Sequence, residues 1–344
     1  MAEAIGNKQE GGVTDLKLTL ACWNYDRTRA LSDGSVRPEG IALTCVGAQQ
    51  VGEIMDRMLR TRDYDVSELG FTYYLQSLAL PDRPFVAIPI FPNRIFRHSS
   101  IFVNRDSGIA HPRDLVGKKV GELHRYGHDA GIWAKGALSD EFGVPADSYS
   151  YYVGGVDRPL PHDDWSPFAT PKTVEVHRIG PGQTLDAMLE AGEIDALYSA
   201  WVPPSFTKGS PKVGRLFEDY VAVERDYFRR TGIFPIMHTV VIRREIYEKD
   251  RWIARSLMAA FQAAKDHAMR MHRTGEMFFG APLMIPWLPA LMAENRALMG
   301  EDHWPYGIAA NRKTLETFLR YNHEQGLTPR RYTVEEIFVP ESLG

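Results

Sequence analysis

Two cysteines, Cys22 and Cys45, are all the chain has in 344 residues, too few for a disulfide framework and consistent with a reducing compartment. Both fall at the ends of predicted strands, where a free thiol behaves as a small apolar side chain. No stretch approaches the roughly 20 apolar residues that a membrane span requires. Charge of one sign is lacking too: 40 Lys and Arg against 44 Asp and Glu give a formal net charge of -4. No basic cluster stands out as a footprint for nucleic acid. The opening residues MAEAIGNKQEGGVTD have no apolar core of the signal-peptide kind, so residues 1–15 read as a disordered lead and the protein as cytoplasmic.

Metal and phosphate motifs are equally scarce. There is no HExxH and no CxxC pair, and Gly180-Pro181-Gly182 lacks the Lys and Ser/Thr of a phosphate loop, which leaves it a turn. His124 and His128 are four residues apart, but Gly121 and Gly127 argue against the helix that would turn both imidazoles to one metal. The expectation is therefore no metal.

What the chain does have is apolar content, 44% of residues, enough to fill the cores of two ordinary domains. Strand patterns at Leu16–Ala21, Ile41–Val46 and Tyr64–Leu69 alternate with helical spacing at Asp26–Leu31, Val51–Thr61 and Thr72–Leu80. After residue 114 the alternation resumes. A short strand lies within Asp114–Leu123, a helix spans Asp129–Phe142, and strands follow at Tyr149–Val153, Val174–Ile179 and Ile194–Tyr198. A helix from Leu185 starts at a Thr184 cap and stops at Gly192. The Pro-, Asp- and Gly-rich segment Gly154–Lys172 reads as a surface excursion. Beyond Arg251 the chain turns helical, with helices at Arg251–Arg273 and Thr314–His323 and Pro282, Pro286 and Pro289 breaking what lies between. The fold class is α/β with largely parallel sheets.

Pro89–Asn104 (PIFPNRIFRHSSIFVN) has a β-rich run on either side of Pro92, and Gly232–Arg244 (GIFPIMHTVVIRR) echoes it. Read as two crossovers, they form a hinge between two α/β lobes: residues 16–96 with 236–344, and residues 97–235. A hinge places a cleft between the lobes. Open α/β sheets bind ligands beyond the carboxyl ends of their strands. That rule selects Tyr25 and Arg27 after the first strand, Ser67 and Glu68 after the third, His128 and Asp129 in the second lobe, and Tyr198, Ser199 and Trp201 after its last strand. The crossovers add Arg97, His98 and His238. This aromatic, cationic and imidazole-bearing set suits an anionic aromatic ligand.

The segments YDRTRAL (Tyr25–Leu31), RPEGI, DVSELG, PIFPNRIFRHSSIFVN, GEIDALYSA, RRTGIFPIMHTVVIRR and NRKTLETFLRYNHEQGL, running from about Leu16 to the C-terminus, resemble the 4,5-dihydroxyphthalate decarboxylase family. DRTRAL, FRHS and FPIMHT carry the specificity of the resemblance. The chain departs from the family at Glu122–Trp133 (ELHRYGHDAGIW), where a Pro-Glu-Tyr pattern is expected, and at Gln49–Met58. The resemblance implies a type II periplasmic-binding-protein-like fold, a homo-oligomer, and conversion of 4,5-dihydroxyphthalate to 3,4-dihydroxybenzoate and CO2 without an organic cofactor. His238 and His98 are then the candidate acid and base, and Glu68 a group that orients one of them. Arg27 and Arg97 are the carboxylate clamps, with Tyr25, Ser67, His128 and Trp201 around the ring. Asp129, Tyr198 and Ser199 would contact the catechol hydroxyls. Two other readings remain open: a solute-binding protein for an aromatic acid, or another cofactor-free lyase on the same fold.

Overall fold

The computed structural model describes residues 15–160, 170–281 and 283–343. Apart from Asp15, the N-terminal lead lies outside them, as do residues 161–169 of the expected surface excursion. Among the described residues eleven strands form two sheets. β1 (Leu16–Ala21), β2 (Ile41–Val46), β3 (Val66–Gly70), β4 (Phe85–Ile88) and, from far along the chain, β11 (His238–Arg243) make the first, in the order β2-β1-β3-β11-β4. The second runs β10-β5-β9-β6-β7-β8. It contains β5 (Ile101–Asn104), β6 (Lys119–Leu123), β7 (Ser150–Gly154), β8 (Val176–Arg178), β9 (Ala196–Tyr198) and β10 (Val213–Arg215).

In the first sheet β1 is parallel to β2 and β3, and in the second β6 is parallel to β7 and β9. β11 and β5 run antiparallel to their neighbours β3 and β9. Both follow directly on a crossover, so each enters its sheet from the hinge end while the parallel strands finish there. The last residues of β3 and β6 and the first of β11 consequently meet at the same edge. The crossovers lie side by side: Arg94 and Ile236 form an antiparallel bridge, and Met237 N donates to the Asn93 carbonyl at 2.9 Å.

Sequence periodicity set most of these elements. Helix Val51–Thr61 places Ile54, Met55 and Met58 on its buried face, and helix Asp129–Phe142 ends at Gly143 with φ 67°. Two differences have a local cause. Helix Leu288–Met299 forms although Pro289 lies within it, because Pro289 occupies the first turn, where its missing N–H has no intrahelical partner to lose. Helix Tyr220–Thr231, unmarked in the sequence reading, buries Tyr227 alone and starts from an Asp219 cap. Its apolar stripe is too thin to read as a period.

One core sits behind the first sheet, where Val66, Ile88, Val240 and Ile242 meet Leu257 and Phe261 of the long helix Trp252–Met277. A second core crosses between the lobes. Phe318, from helix Arg312–Glu324, stacks between Phe71 and Trp133 at centroid distances of 5.1 and 5.3 Å. Gly136 leaves room for the Tyr321 ring, which a Cβ there would meet at 2.2 Å. Each such buried ring contributes on the order of 1.5–3 kcal/mol. The C-terminal helix thus ties the second lobe to the first.

Candidate active site

Glu68 lies on β3 and is fully buried. Its Oε1 accepts from Tyr25 OH at 2.6 Å and stands 2.6 Å from His238 Nδ1; its Oε2 accepts from Trp23 N at 2.9 Å and Cys22 Sγ at 3.4 Å. Burial opposes the charge, yet the bonds from His238, Tyr25 and Trp23 outweigh it and hold the carboxyl below its ordinary value. Burial, together with the same carboxylate, pushes the Tyr25 phenol and the Cys22 thiol far up, so both stay protonated donors. An ionised Glu68 accepts a hydrogen bond from Nδ1–H of His238, which leaves Nε2 as the atom that can exchange a proton.

His238 opens β11 directly opposite Gly70. At Gly70 the second lobe comes closest: Asp129 Oδ1 accepts from Thr72 N at 2.8 Å, and a Cβ on Gly70 would sit 2.6 Å from Asp129 Oδ2. Glycine is required there for the carboxylate to reach across and cap helix Phe71–Ser77. Burial raises the Asp129 pKa, partly offset by the charges of His238 and Arg97 and by Thr72.

Arg97, on the first crossover, is buried and bonded only to Met237 Sδ at 3.2 Å and Ser100 Oγ at 3.3 Å; among the described residues no carboxylate pairs with it. Burial lowers its pKa to about 10, with Asp129 and Glu224 the nearest opposing charges, so it stays cationic at neutral pH. His128 caps helix Asp129–Phe142, its Nδ1 accepting from Ala130 N at 3.3 Å. Burial and the positive neighbours His124, Arg97 and His238 push its pKa far down, so the ring is neutral and its proton sits on Nε2.

His128 also lines a cavity of about 910 Å³ between the lobes, within the range of small-molecule sites. Trp23, Met55 and Tyr73 form its first-lobe wall, and Leu123, His124 and Trp201 its second. Arg158 Nη2 donates to Gln50 Oε1 at 2.6 Å between the same two walls. The site therefore has an aromatic-walled chamber with a buried group of Glu68, His238, Asp129 and Arg97 beside His128.

Of the residues expected from sequence, Tyr25, Glu68, Arg97, His128, Asp129 and His238 come together; His128 lines the cavity, as does Trp201, and the other five lie behind its wall. Others do not. His98 packs its ring against Phe217 and Tyr227, and burial lowers its pKa to about 4. The crossover turns it into the second lobe, so the two crossover histidines, expected as an acid–base pair, pack in different surroundings. Arg27 is clamped between the Tyr25 and Trp304 rings at 4.2 and 4.0 Å and donates to the Pro92 carbonyl and to Asp26. It lines a separate 310 Å³ cavity with Phe234, His272 and His303, so it supports Tyr25 rather than forming the wall of the main chamber. Tyr198 donates to Tyr149 in the core, Ser199 bonds locally to Trp201, and Ser67 is buried with its hydroxyl on the Glu68 carbonyl. Sequence reasoning passed over Gln50 and Arg158, which lie in loops without a periodic signal. His124, weighed in the sequence with His128 as a metal pair, lines the same cavity from a positive φ of 68° at the end of β6.

Two α/β lobes joined by paired crossovers and closing on a cleft are the architecture of periplasmic-binding proteins. Solved structures agree on the fold. The periplasmic aliphatic sulphonate-binding protein SsuA of Escherichia coli matches with a TM-score of 0.50 at 13% identity, over 94% of this chain and 92% of its own. A putative periplasmic sulfonate-binding protein of Methylobacillus flagellatus KT matches with a TM-score of 0.51 at 16% identity, over 95% and 92%. No family model matches the chain. Curated relatives do. The 4,5-dihydroxyphthalate decarboxylase of Comamonas testosteroni is 35% identical over 332 residues, 96% of this chain and 98% of that protein. The Pseudomonas putida protein of the same name is 34% identical over 214 residues, 62% and 82%. The chain belongs to the 4,5-dihydroxyphthalate decarboxylase family.

Proposed function

We propose that the chain is a carboxy-lyase that converts 4,5-dihydroxyphthalate to 3,4-dihydroxybenzoate and CO2, a step in phthalate degradation. The observation that carries this reading is the likeness to the Comamonas testosteroni enzyme along nearly the whole of both chains. The ring chemistry asks for three things: a cation for the carboxylates, a base at the phenol para to the departing group, and an acid at the carbon that group leaves. Removing the phenolic proton pushes charge onto that carbon. A proton delivered there forms the new C–H bond and gives a dienone. The C–C bond then breaks, its electron pair restores the aromatic ring, and CO2 departs, with one proton consumed overall.

The buried group supplies candidates for each role. Arg97, a cation without a paired carboxylate, suits a substrate carboxylate: a unit charge about 4 Å away at an effective dielectric near 20 contributes roughly 4 kcal/mol before desolvation. The Glu68–His238 pair is the proton-transfer device, with Nε2 the exchanging atom and Glu68 keeping the ring oriented. His128 Nε2–H donates to an anionic oxygen, and Asp129, its pKa raised, serves a catechol hydroxyl. Tyr25 and Arg27 act through Glu68 as positioning residues. We further assign the chain to the cytoplasm as a homo-oligomer; no helix among the described residues is long and apolar enough to cross a membrane.

Incubation with 4,5-dihydroxyphthalate, following CO2 and the loss of one carboxylate, tests the reaction. Tight binding of hydroxylated benzoates with no CO2 released from any of them would instead favour a solute-binding role, like that of the two periplasmic sulfonate-binding proteins.

A further inference from the structure

From Met277 to Ala293 the chain carries no Asp, Glu, Lys, Arg or His. This stretch joins helix Trp252–Met277 to helix Leu288–Met299, and it holds its largest side chains in solvent. Phe279 is 92% exposed, Trp287 81%, Met277 75%, Phe278 59% and Leu291 45%, and Met284 is fully exposed. At about 200 Å² for an exposed aromatic side chain the three rings offer about 450 Å², and the other three residues bring the strip to about 800 Å². The largest apolar patch on an ordinary monomer is about 300–600 Å², and one partner contributes about 800 Å² to a stable interface.

The strip is held in place from below. Leu288 and Met292 are buried, and Gly275 admits Leu288 so closely that a Cβ would meet it at 2.7 Å. Arg296 pairs with Glu276 at 2.7 Å, and Arg225 of the second lobe pairs with Glu294. The backbone is strained at the two most exposed rings: Phe279 and Trp287 have φ of 54° and 58°, a region that bulky side chains rarely adopt. A fold that presents two large rings in solvent at that cost is one in which the rings are covered.

We propose that this strip is the contact by which two copies of the chain associate, strip against strip about a two-fold axis. The inference rests on the homo-oligomer reading above and adds where the contact lies. Two facing strips of this size bury about 1,600 Å², the standard for a stable complex. Charge favours a second copy over a lipid surface. The strip itself has no Lys or Arg to meet anionic headgroups, and its flanking Glu276 and Glu294 are each neutralised by an Arg.

The test is Phe279→Asn combined with Trp287→Asn, measured by light scattering on the eluted full-length protein. Asn tolerates the left-handed backbone at both positions, so the variant keeps its circular dichroism spectrum. The wild type is expected at a multiple of 38.9 kDa and the variant at no more than half the wild-type mass. Val116→Ser, an exposed apolar residue elsewhere, should leave the mass unchanged. A variant that keeps the wild-type mass overturns the strip as the contact while leaving the homo-oligomer reading intact. A wild type that runs at 38.9 kDa at every concentration overturns both. Flotation of the wild type with phosphatidylcholine vesicles, abolished in the variant, would reassign the strip to a membrane and overturn the contact between copies.

Discussion

Nδ1 of His238 stands 2.6 Å from Oε1 of Glu68, although 170 residues separate them in the chain. The register explains how. β11 and β3 are antiparallel neighbours in which His238 faces Gly70 and Val240 faces Glu68, so the two side chains are diagonal on one face of the sheet. Removing the carboxylate while keeping its shape isolates its role. Glu68→Gln is expected to lower the rate of CO2 release about 10²–10⁴-fold, the range for a positioned proton-transfer group. His238→Ala should fall in the same range, and the double variant should lose little more than either single one. Steady-state assays of the three proteins check this, and losses that multiply would refute a shared role.

Asp129 has a structural and an electrostatic task that substitution can separate. Asp129→Asn keeps an oxygen for Thr72 N, so the urea midpoint should barely change while turnover drops by at least tenfold. Asp129→Ala removes the cap as well and should cost about 1 kcal/mol more in stability. Equal stability in the two variants would show that the bond to Thr72 contributes nothing.

Gly70→Ala would thrust a methyl group to 2.6 Å from Asp129 Oδ2 and 2.7 Å from the Tyr73 ring. The expected result is a destabilisation of about 1–3 kcal/mol and a loss of activity that Asp129→Ala does not deepen. Denaturation curves and rates for the single and double variants provide the measurement. An undiminished rate in Gly70→Ala would argue against close approach of the lobes at this point.

Acid should expose the burial of His98. Its ring sits between Phe217 and Tyr227, with Glu141 and Arg230 beyond, and burial lowers its pKa to about 4. The fold therefore favours the neutral ring. Its contribution is complete above the unfolded value of about 6.5 and disappears as pH falls from there towards 4, a loss of at most about 3 kcal/mol. His98→Phe should flatten the fall in unfolding free energy across that interval. Parallel pH dependences for wild type and variant would place the acid sensitivity elsewhere.

Much of the architecture was legible along the chain because it is local. Apolar spacing marked Val51–Thr61 and Asp129–Phe142 to the residue, and glycines at the left-handed positions 143 and 192 ended helices where expected. The two crossovers were visible as paired β-branched runs with a proline and a histidine. The strand-end rule picked Glu68 and Asp129, which the structure brings into one buried group. Tyr198 and Ser199 also end a strand, and there Tyr198 bonds to Tyr149 and Ser199 to Trp201.

The sequence by itself determined the lobes, the hinge and the family, since periodicity, turn chemistry and shared segments are properties of neighbouring residues. Only the tertiary structure decided what each of the two crossover histidines meets. It paired His238 with a carboxylate on an adjacent strand and enclosed His98 in aromatic rings. It also clamped Arg27 between Tyr25 and Trp304 and left Arg97 a buried cation that no carboxylate pairs with among the described residues. Those outcomes depend on strand register and on contacts across the whole chain, and no local pattern encodes the direction in which a side chain at a hinge will point.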